Sequence, residues 1–217
     1  MIAPDSPAPP PPALPPPDPL MVAWRRVDDA VGHSVARLER TETGWLAHGQ
    51  EVMVAPEDLI GCSFAVELDH DWGTAHAIVT SIDRDAARAL ELRCDEQLRW
   101  RRDGAPAPEL DGCRDVDIAA TPLTNTFPVN RLRDLAVGET WTGSVAWVEV
   151  PTLRVTRVEQ TYTRLAAPDD PFAAAAWEYR DDTHGAFRIT TDAHGLVVDY
   201  ENFAARIRDP AAPAQRR

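Results

Sequence analysis

The feature that most constrains the fold is an alternation of apolar and polar residues with a period of two. Between residues 90 and 95 apolar side chains alternate with charged ones, and the alternation resumes at Leu98 and Trp100 after a polar turn. Residues 187–200 repeat this pattern around the turn Asp192-Ala-His-Gly195. Because successive side chains of a strand point to opposite faces, these segments predict two antiparallel hairpins, each with one buried and one solvated face.

Short strands with frequent turns are expected along most of the remaining chain, which is typical of a β-sandwich or β-barrel. The further predicted strands are 21–27, 33–41, 50–55, 62–69, 74–83, 114–119, 143–150, 153–164 and 176–181. One segment differs, because apolar residues recur there at three-residue spacing from Val129 to Leu135. It predicts a short helix with Thr126 as its cap, Pro128 at its first position and Gly138 at its end.

Proline is concentrated before the first predicted strand. Residues 1–19 hold ten of the 20 prolines of the chain. Proline fixes φ and lacks a backbone donor, so this segment favours extended polyproline II and cannot join a sheet ladder. We therefore predict a disordered proline-rich tail over residues 1–19, a single domain over residues 20–208, and a second disordered tail over residues 209–217.

Charge and cysteine content argue against several classes of function. The net charge of -13 repels phosphate backbones, so nucleic acid is not an expected partner. No apolar run approaches the length of a membrane span, and neither a glycine-rich phosphate loop nor a common metal-ligand spacing is present, so we expect no cofactor and no metal. Three scattered cysteines and the absence of a secretory signal pattern favour a reducing cytoplasm.

The densest group of polar residues lies between residues 110 and 132. On a strand over 114–119, Asp115 and Asp117 point to the same face, and Arg131 on the predicted helix is placed to pair with one of them. The intervening segment Thr121-Pro-Leu-Thr-Asn-Thr126 carries side chains that bond backbone groups in turns. Three interpretations remain open: a purely structural network, a polar pocket for a sugar or head group, and acid–base catalysis by the two aspartates.

The same stretch resembles a bacterial glycolipid-binding family, whose pattern is a D-x-D strand followed by T-P-x-T-N-x-x-P-x-x-R-L. It corresponds here to Asp115-Val-Asp117 and to residues 121–132, with further matches at Trp24, at Gln160-Thr-Tyr162 and at residues 195–200. The resemblance spans roughly residues 22–208. It implies a mainly antiparallel, unclosed β-barrel with one or two short helices, similar to bacterial lipoprotein carriers, that holds a lipid or glycolipid in its concave face.

Together, the polar segment and the resemblance give a set of expected ligand-binding residues. They are Asp115, Asp117, Thr121, Thr124, Asn125, Arg131, Trp147, Gln160 and Tyr162. Trp147 is included because a tryptophan on a strand of mixed polarity can stack on a sugar ring or an acyl chain. The leading hypothesis is a binding protein for a small amphipathic molecule. The alternatives are an enzyme that uses Asp115 and Asp117 on a sugar or phosphorylated metabolite, and a protein-interaction module.

Overall fold

The computed structural model of the protein describes residues 19–55 and 58–208. The segments predicted as disordered tails lie outside these residues, apart from Pro19. Among the described residues, no helix is both long enough and apolar enough to cross a membrane.

Fifteen strands account for most of the described chain. The first eight are β1 Leu20–Arg26, β2 Val31–Thr41, β3 Gly44–Ala55, β4 Asp58–Leu68, β5 Thr74–Ile82, β6 Ala87–Cys94, β7 Trp100–Arg102 and β8 Ala105–Pro106. The remaining seven are β9 Asp115–Ile118, β10 Thr140–Val148, β11 Val155–Leu165, β12 Ala175–Asp181, β13 Gly185–Thr191, β14 Val197–Tyr200 and β15 Ala204–Arg206. The predicted hairpins are confirmed as the pairs β6–β7 and β13–β14.

All fifteen strands belong to one strongly curved sheet. Its order is β8-β7-β6-β5-β4-β3-β2-β1-β15-β14-β13-β12-β11-β10-β9. The chain runs from β1 out to the edge at β8, crosses to the opposite edge at β9, and returns to β15 beside β1. The two edge strands, β8 and β9, do not pair with each other, which makes the barrel unclosed as predicted. The edge at β9 is bridged to the start of β5, where Thr74 Oγ1 accepts a hydrogen bond of 2.9 Å from the Val116 amide.

The interior of this barrel is filled by side chains. Residues of β2 alternate between exposed and buried, and the buried ones join a single core cluster with residues of the other strands. Its largest fully buried members include Trp24, Trp100, Trp177, Phe127 and Tyr162. The indole N–H of Trp24 donates to the Val197 carbonyl at 2.9 Å and that of Trp100 to the Cys113 carbonyl at 3.0 Å, whereas that of Trp177 has no partner among the described residues. The concave face is therefore mostly a packed core.

Consecutive strands are neighbours in the sheet along most of the chain, but the segment between β8 and β10 breaks this pattern. It contains single 3₁₀ turns at Pro108–Leu110 and Leu123–Asn125 and one α-helix, α1, at Thr126–Arg131. The prediction of a helix here is confirmed, but its bounds were wrong: α1 begins before Pro128 and ends well before Gly138. Pro128 is tolerated in the first turn because the amides of that turn have no partner within the helix.

This segment also makes the one parallel pairing among the described strands. β9 runs parallel to β10, with Asp115 opposite Val145 and Ile118 opposite Val148, and is the exception in a sheet that is mainly antiparallel as predicted. Parallel neighbours need a crossover connection, and residues 119–139, with α1, supply it. The crossover covers one end of the barrel interior and places the polar residues of 115–131 against β11 and β12.

Candidate functional site

Asp115 and Asp117 lie two residues apart on β9 and engage different partners. Asp115 is buried and forms a bidentate ion pair with Arg131, whose Nη1 and Nη2 donate to the carboxylate at 2.8 and 2.5 Å. Burial lowers the pKa of Arg131, but the hydrogen bonds to Asp115 and the negative charge of Asp115 raise it by more. The pKa of Arg131 is therefore raised overall, and the guanidinium stays charged. The pair fastens the end of α1 to β9, as a bidentate arginine–carboxylate contact does.

Asp117 forms hydrogen bonds with the crossover and with β11. Its Oδ1 accepts a hydrogen bond from Thr124 at 2.7 Å, and its Oδ2 accepts one from the amide of Gln160 at 2.6 Å. Burial raises the pKa of Asp117, the two hydrogen bonds lower it in part, and the negative charge of Asp181 raises it again. The net result is a carboxyl group that binds a proton more readily than an ordinary aspartate.

A chain of hydrogen bonds connects Asp117 to a second carboxylate that the sequence analysis did not single out. Gln160 donates to the hydroxyl of Tyr179 at 3.0 Å, and Tyr179 donates to Oδ2 of Asp181 at 2.6 Å. Burial raises the pKa of Asp181, but the bonds from Tyr179 and from the amides of Thr183 and His184 outweigh it and hold that pKa below its usual range.

These two carboxylates lie at the polar end of a cavity of about 210 Å³, here called the carboxylate cavity. Aromatic rings from five segments form its walls, because β10, β12, β13, β14 and the turn after β14 converge here. The lining residues are Asp117, Ile118, Ala119, Thr121, Asn125, Trp147, Tyr179, Asp181, His184, Phe187, Tyr200, Asn202 and Phe203. His184 and Asn202 are exposed and mark its mouth.

Contacts within the carboxylate cavity hold its rings in fixed positions. Tyr200 meets Phe203 edge to face, with ring centroids 5.0 Å apart, and Trp147 lies 5.6 Å from the imidazole of His184. The side chain of Asn125 is fixed by a hydrogen bond of 2.8 Å, which its amide donates to the hydroxyl of Tyr162 on β11. Such rings, with carboxylates beside them, offer both an apolar face and hydrogen-bond acceptors to a ligand.

The structure divides the nine expected ligand-binding residues into three groups. Four of them line the carboxylate cavity: Asp117, Thr121, Asn125 and Trp147. Three lie behind it and bond to its lining residues: Thr124, Gln160 and Tyr162. The last two form the ion pair: Arg131 lines another hollow, and its guanidinium occupies both oxygens of the Asp115 carboxylate.

Half of the cavity comes from residues that the sequence analysis missed, namely Tyr179, Asp181, His184, Phe187, Tyr200, Asn202 and Phe203. They lie more than sixty positions from Asp117 in the chain, and of the seven only Tyr200 falls within a stretch that matched the family pattern. The aromatic pattern of β12–β14 was a usable signal, since Tyr179, Phe187 and Tyr200 occupy one face of three consecutive paired strands.

A second polar hollow, of about 600 Å³, is lined by Arg114, Arg131 and Arg133, whereas the hollow on the outer side of the sheet is less suited to a polar ligand. A groove of about 380 Å³ lies on the outer side of β1–β5, and most of its lining is apolar. Within residues 19–55 and 58–208, no group of three or more His, Cys, Asp or Glu side chains is arranged to hold a metal ion. We therefore assign the candidate site to the carboxylate cavity, where polar groups and rings converge.

Comparison with known proteins agrees with this architecture. A crystal structure of a DUF1089 family protein from Pseudomonas aeruginosa is 28% identical, with a TM-score of 0.69 over 80% of this chain and 92% of that one. A beta-barrel-like protein of the DUF1849 domain from Brucella abortus shares the fold at 11% identity, with a TM-score of 0.52 over 88% of this chain and 95% of that one. No curated protein matches.

The sequence model of one protein family matches most of the chain. The model described as "Putative glycolipid-binding" matches residues 21–206, which include every described strand apart from the first residue of β1. The chain belongs to this family.

Proposed function

We propose that this protein binds an amphiphile of the glycolipid class and holds its polar head group in the carboxylate cavity. The observation that carries the proposal is the convergence of Asp117 and Asp181 on one space walled by aromatic rings. Sugar hydroxyls donate to carboxylates, and the C–H faces of a sugar ring pack on aromatic rings. The family description and the barrel fold support a binding role.

The size of the cavity determines which part of the ligand it receives. Its volume of about 210 Å³ equals that of roughly seven water molecules at ~30 Å³ each. That space accepts one sugar ring or a head group of similar size, but not a long acyl chain as well. Because buried side chains pack the barrel interior and His184 and Asn202 are exposed, the acyl chain leaves the cavity at the mouth, past these two residues.

Calorimetric titration with short-chain alkyl glycosides tests this proposal. We expect binding by the wild-type protein, and a 10- to 100-fold weaker affinity for Asp117→Asn, since a hydrogen bond to a charged group is worth about 1.5–3 kcal/mol. Asp85→Asn is the matched control, because Asp85 is exposed in the turn between β5 and β6. A panel of glycosides with no measurable heat of binding, or equal affinity for Asp117→Asn and wild type, would reject the proposal.

The opposite pKa shifts of Asp117 and Asp181 favour one alternative, an enzyme that acts on a sugar. Pairs of carboxyl groups with separated pKa values often share acid–base work. The pair suggested by the sequence was Asp115 with Asp117, but Arg131 occupies the Asp115 carboxylate, so Asp181 is the more suitable partner. Release of nitrophenol from nitrophenyl glycosides by the wild type and not by Asp117→Asn would favour the enzyme over the binding protein.

A further inference from the structure

The second polar hollow lies where the turn between β4 and β5, the end of α1 and the start of β10 meet, and it is here called the tryptophan hollow. Its volume is about 600 Å³, against about 210 Å³ for the carboxylate cavity, so it has room for at least one sugar ring. The lining side chains that matter for a ligand are two half-buried indole rings and four polar groups: Trp72, Trp141, Asp71, Asn130, Arg133 and Asp134.

Both indole rings are held in place by their neighbours. Trp72 stacks on Trp45 with ring centroids 4.4 Å apart, which engages one of its faces and leaves the other for a ligand. The guanidinium of Arg131 lies over Trp141, 5.4 Å from the ring centroid. Trp141 also lies over Gly143, where an added Cβ would come within 2.2 Å of the ring. Rings that are ordered before binding lose little conformational entropy when a ligand packs on them.

The polar side chains of the tryptophan hollow include both donors and acceptors of hydrogen bonds. Asp71 and Asp134 are exposed carboxylates, which only accept, and Arg133 is an exposed guanidinium, which only donates. Asn130 donates through its amide nitrogen to two backbone carbonyls, which leaves its Oδ1 as a further acceptor. A sugar hydroxyl matches such a mixture because it both donates and accepts, whereas a phosphate or carboxylate group only accepts.

The charges around the tryptophan hollow also favour an uncharged ligand. Two of its arginines already bind a carboxylate, since Arg131 pairs with Asp115 at 2.5 Å and Arg114 pairs with Asp69 at 2.9 Å. Three arginines and four aspartates line the hollow or form these pairs, so they leave no surplus of positive charge for an anion. These seven are Arg114, Arg131, Arg133, Asp69, Asp71, Asp115 and Asp134.

A buried side chain separates the tryptophan hollow from the carboxylate cavity. Tyr162 is 0% exposed; its ring centroid lies 6.3 Å from that of Trp141, and its hydroxyl accepts the hydrogen bond from Asn125 of the cavity. Among the described residues, none lines both spaces. A ligand in the hollow is therefore independent of one in the cavity.

We propose that the tryptophan hollow is a second saccharide site, which binds an uncharged sugar. The C–H face of the sugar ring packs on Trp72, with Trp141 as the side wall. Hydroxyl groups of the sugar donate to Asp71 and Asp134 and accept from Arg133. The site is separate from the head-group site proposed above and does not depend on it.

NMR titration of the full-length protein with methyl glucoside, methyl mannoside and methyl galactoside tests this proposal, because these sugars carry no alkyl tail. We expect at least one of them to shift the indole N–H signals of Trp72 and Trp141 until they saturate. Arg133→Ala should weaken this binding roughly tenfold, because it removes hydrogen bonds from a charged donor. Arg84→Ala is the matched control, since Arg84 is exposed at the far end of β5, about 30 Å from the hollow along this strand of 9 residues.

Three results would overturn the proposal. The first is that none of the three glycosides moves the signals of Trp72 and Trp141. The second is that inorganic phosphate moves them at lower concentration than any glycoside, which would assign the hollow to anions. The third is equal affinity for Arg133→Ala and Arg84→Ala.

The indole signal of Trp147 separates this inference from the function proposed above, because Trp147 lines the carboxylate cavity. A glycoside that shifts Trp147 but neither Trp72 nor Trp141 would overturn the second site and leave the cavity as the sugar site. Shifts of Trp72 and Trp141 that persist in Asp117→Asn, without any shift of Trp147 in the wild type, would support the second site and count against the cavity.

Discussion

Glu51 on β3 gives the most quantitative prediction. It points into the barrel, is 3% exposed, and its Oε1 has no hydrogen-bond partner. Burial raises its pKa from 4.5 to about 8, and the side chains of Thr121, Ser34 and Arg26 offset only part of this effect. At neutral pH the folded protein therefore holds Glu51 protonated, whereas the unfolded chain releases that proton.

The sign and size of the pH dependence follow from this difference. Between pH 4.5 and about 8 the folded state binds one proton more than the unfolded state, so the free energy of unfolding falls as the pH rises. Each pKa unit corresponds to about 1.4 kcal/mol, which gives a loss of at most about 5 kcal/mol across this window. Glu51→Gln keeps the shape and removes the titration, so it stabilises the protein by a few kcal/mol near pH 8 and has little effect near pH 4.5.

Urea unfolding followed by tryptophan fluorescence, at several values from about pH 4.5 to about pH 9, measures this dependence. The informative quantity is the difference in unfolding free energy between Glu51→Gln and wild type. The contributions of the other titrating groups are the same in both proteins and cancel in this difference. Glu159→Gln serves as control, since Glu159 is an exposed glutamate of β11. Parallel profiles for wild type and Glu51→Gln would refute the reasoning, because a glutamate that ionises normally contributes no slope in this range.

Two further substitutions test the packing and the ion pair. Gly49→Ala places a Cβ 2.0 Å from the ring of Phe64, and this overpacking should cost about 1–3 kcal/mol in thermal or urea unfolding; an unchanged midpoint would show that Phe64 moves aside freely. Arg131→Met leaves Asp115 buried without its partner and should cost about 3–5 kcal/mol, whereas the double variant with Asp115→Leu should recover much of that loss. A double variant no more stable than Arg131→Met would contradict the ion-pair account.

The sequence predicted strands well where one face is apolar and the other charged, and less well elsewhere. The first half of β3 was missed because its inward positions are Ala47 and Gly49, which interrupt the apolar alternation. Gly49 carries no side chain because Phe64 of β4 fills the space that a Cβ would occupy. The side chain that sets the residue size at position 49 is thus fifteen residues away, a constraint that a local pattern does not contain.

In the candidate site, too, a local sequence pattern identified only part of the residues. The polar segment 115–131 was recognisable, because closely spaced Asp, Thr and Asn residues need partners when they are buried. The structure supplies two of those partners from β11, through Gln160 and Tyr162. Asp181 joins the site only because the sheet curls β12 towards the crossover. A contact between residues so far apart depends on the topology, which the sequence analysis predicted only as a class.

Locating a bound ligand in the protein shows whether a head group occupies the carboxylate cavity. Nuclear Overhauser contacts between the sugar protons of a short-chain alkyl glycoside and the protein would identify the residues that it touches. The account predicts contacts to the rings of Trp147, Tyr200 and Phe203, with the alkyl protons near His184. Sugar contacts confined to the outer face of β1–β5, or alkyl protons beside Asp117 with the sugar in solvent, would contradict it.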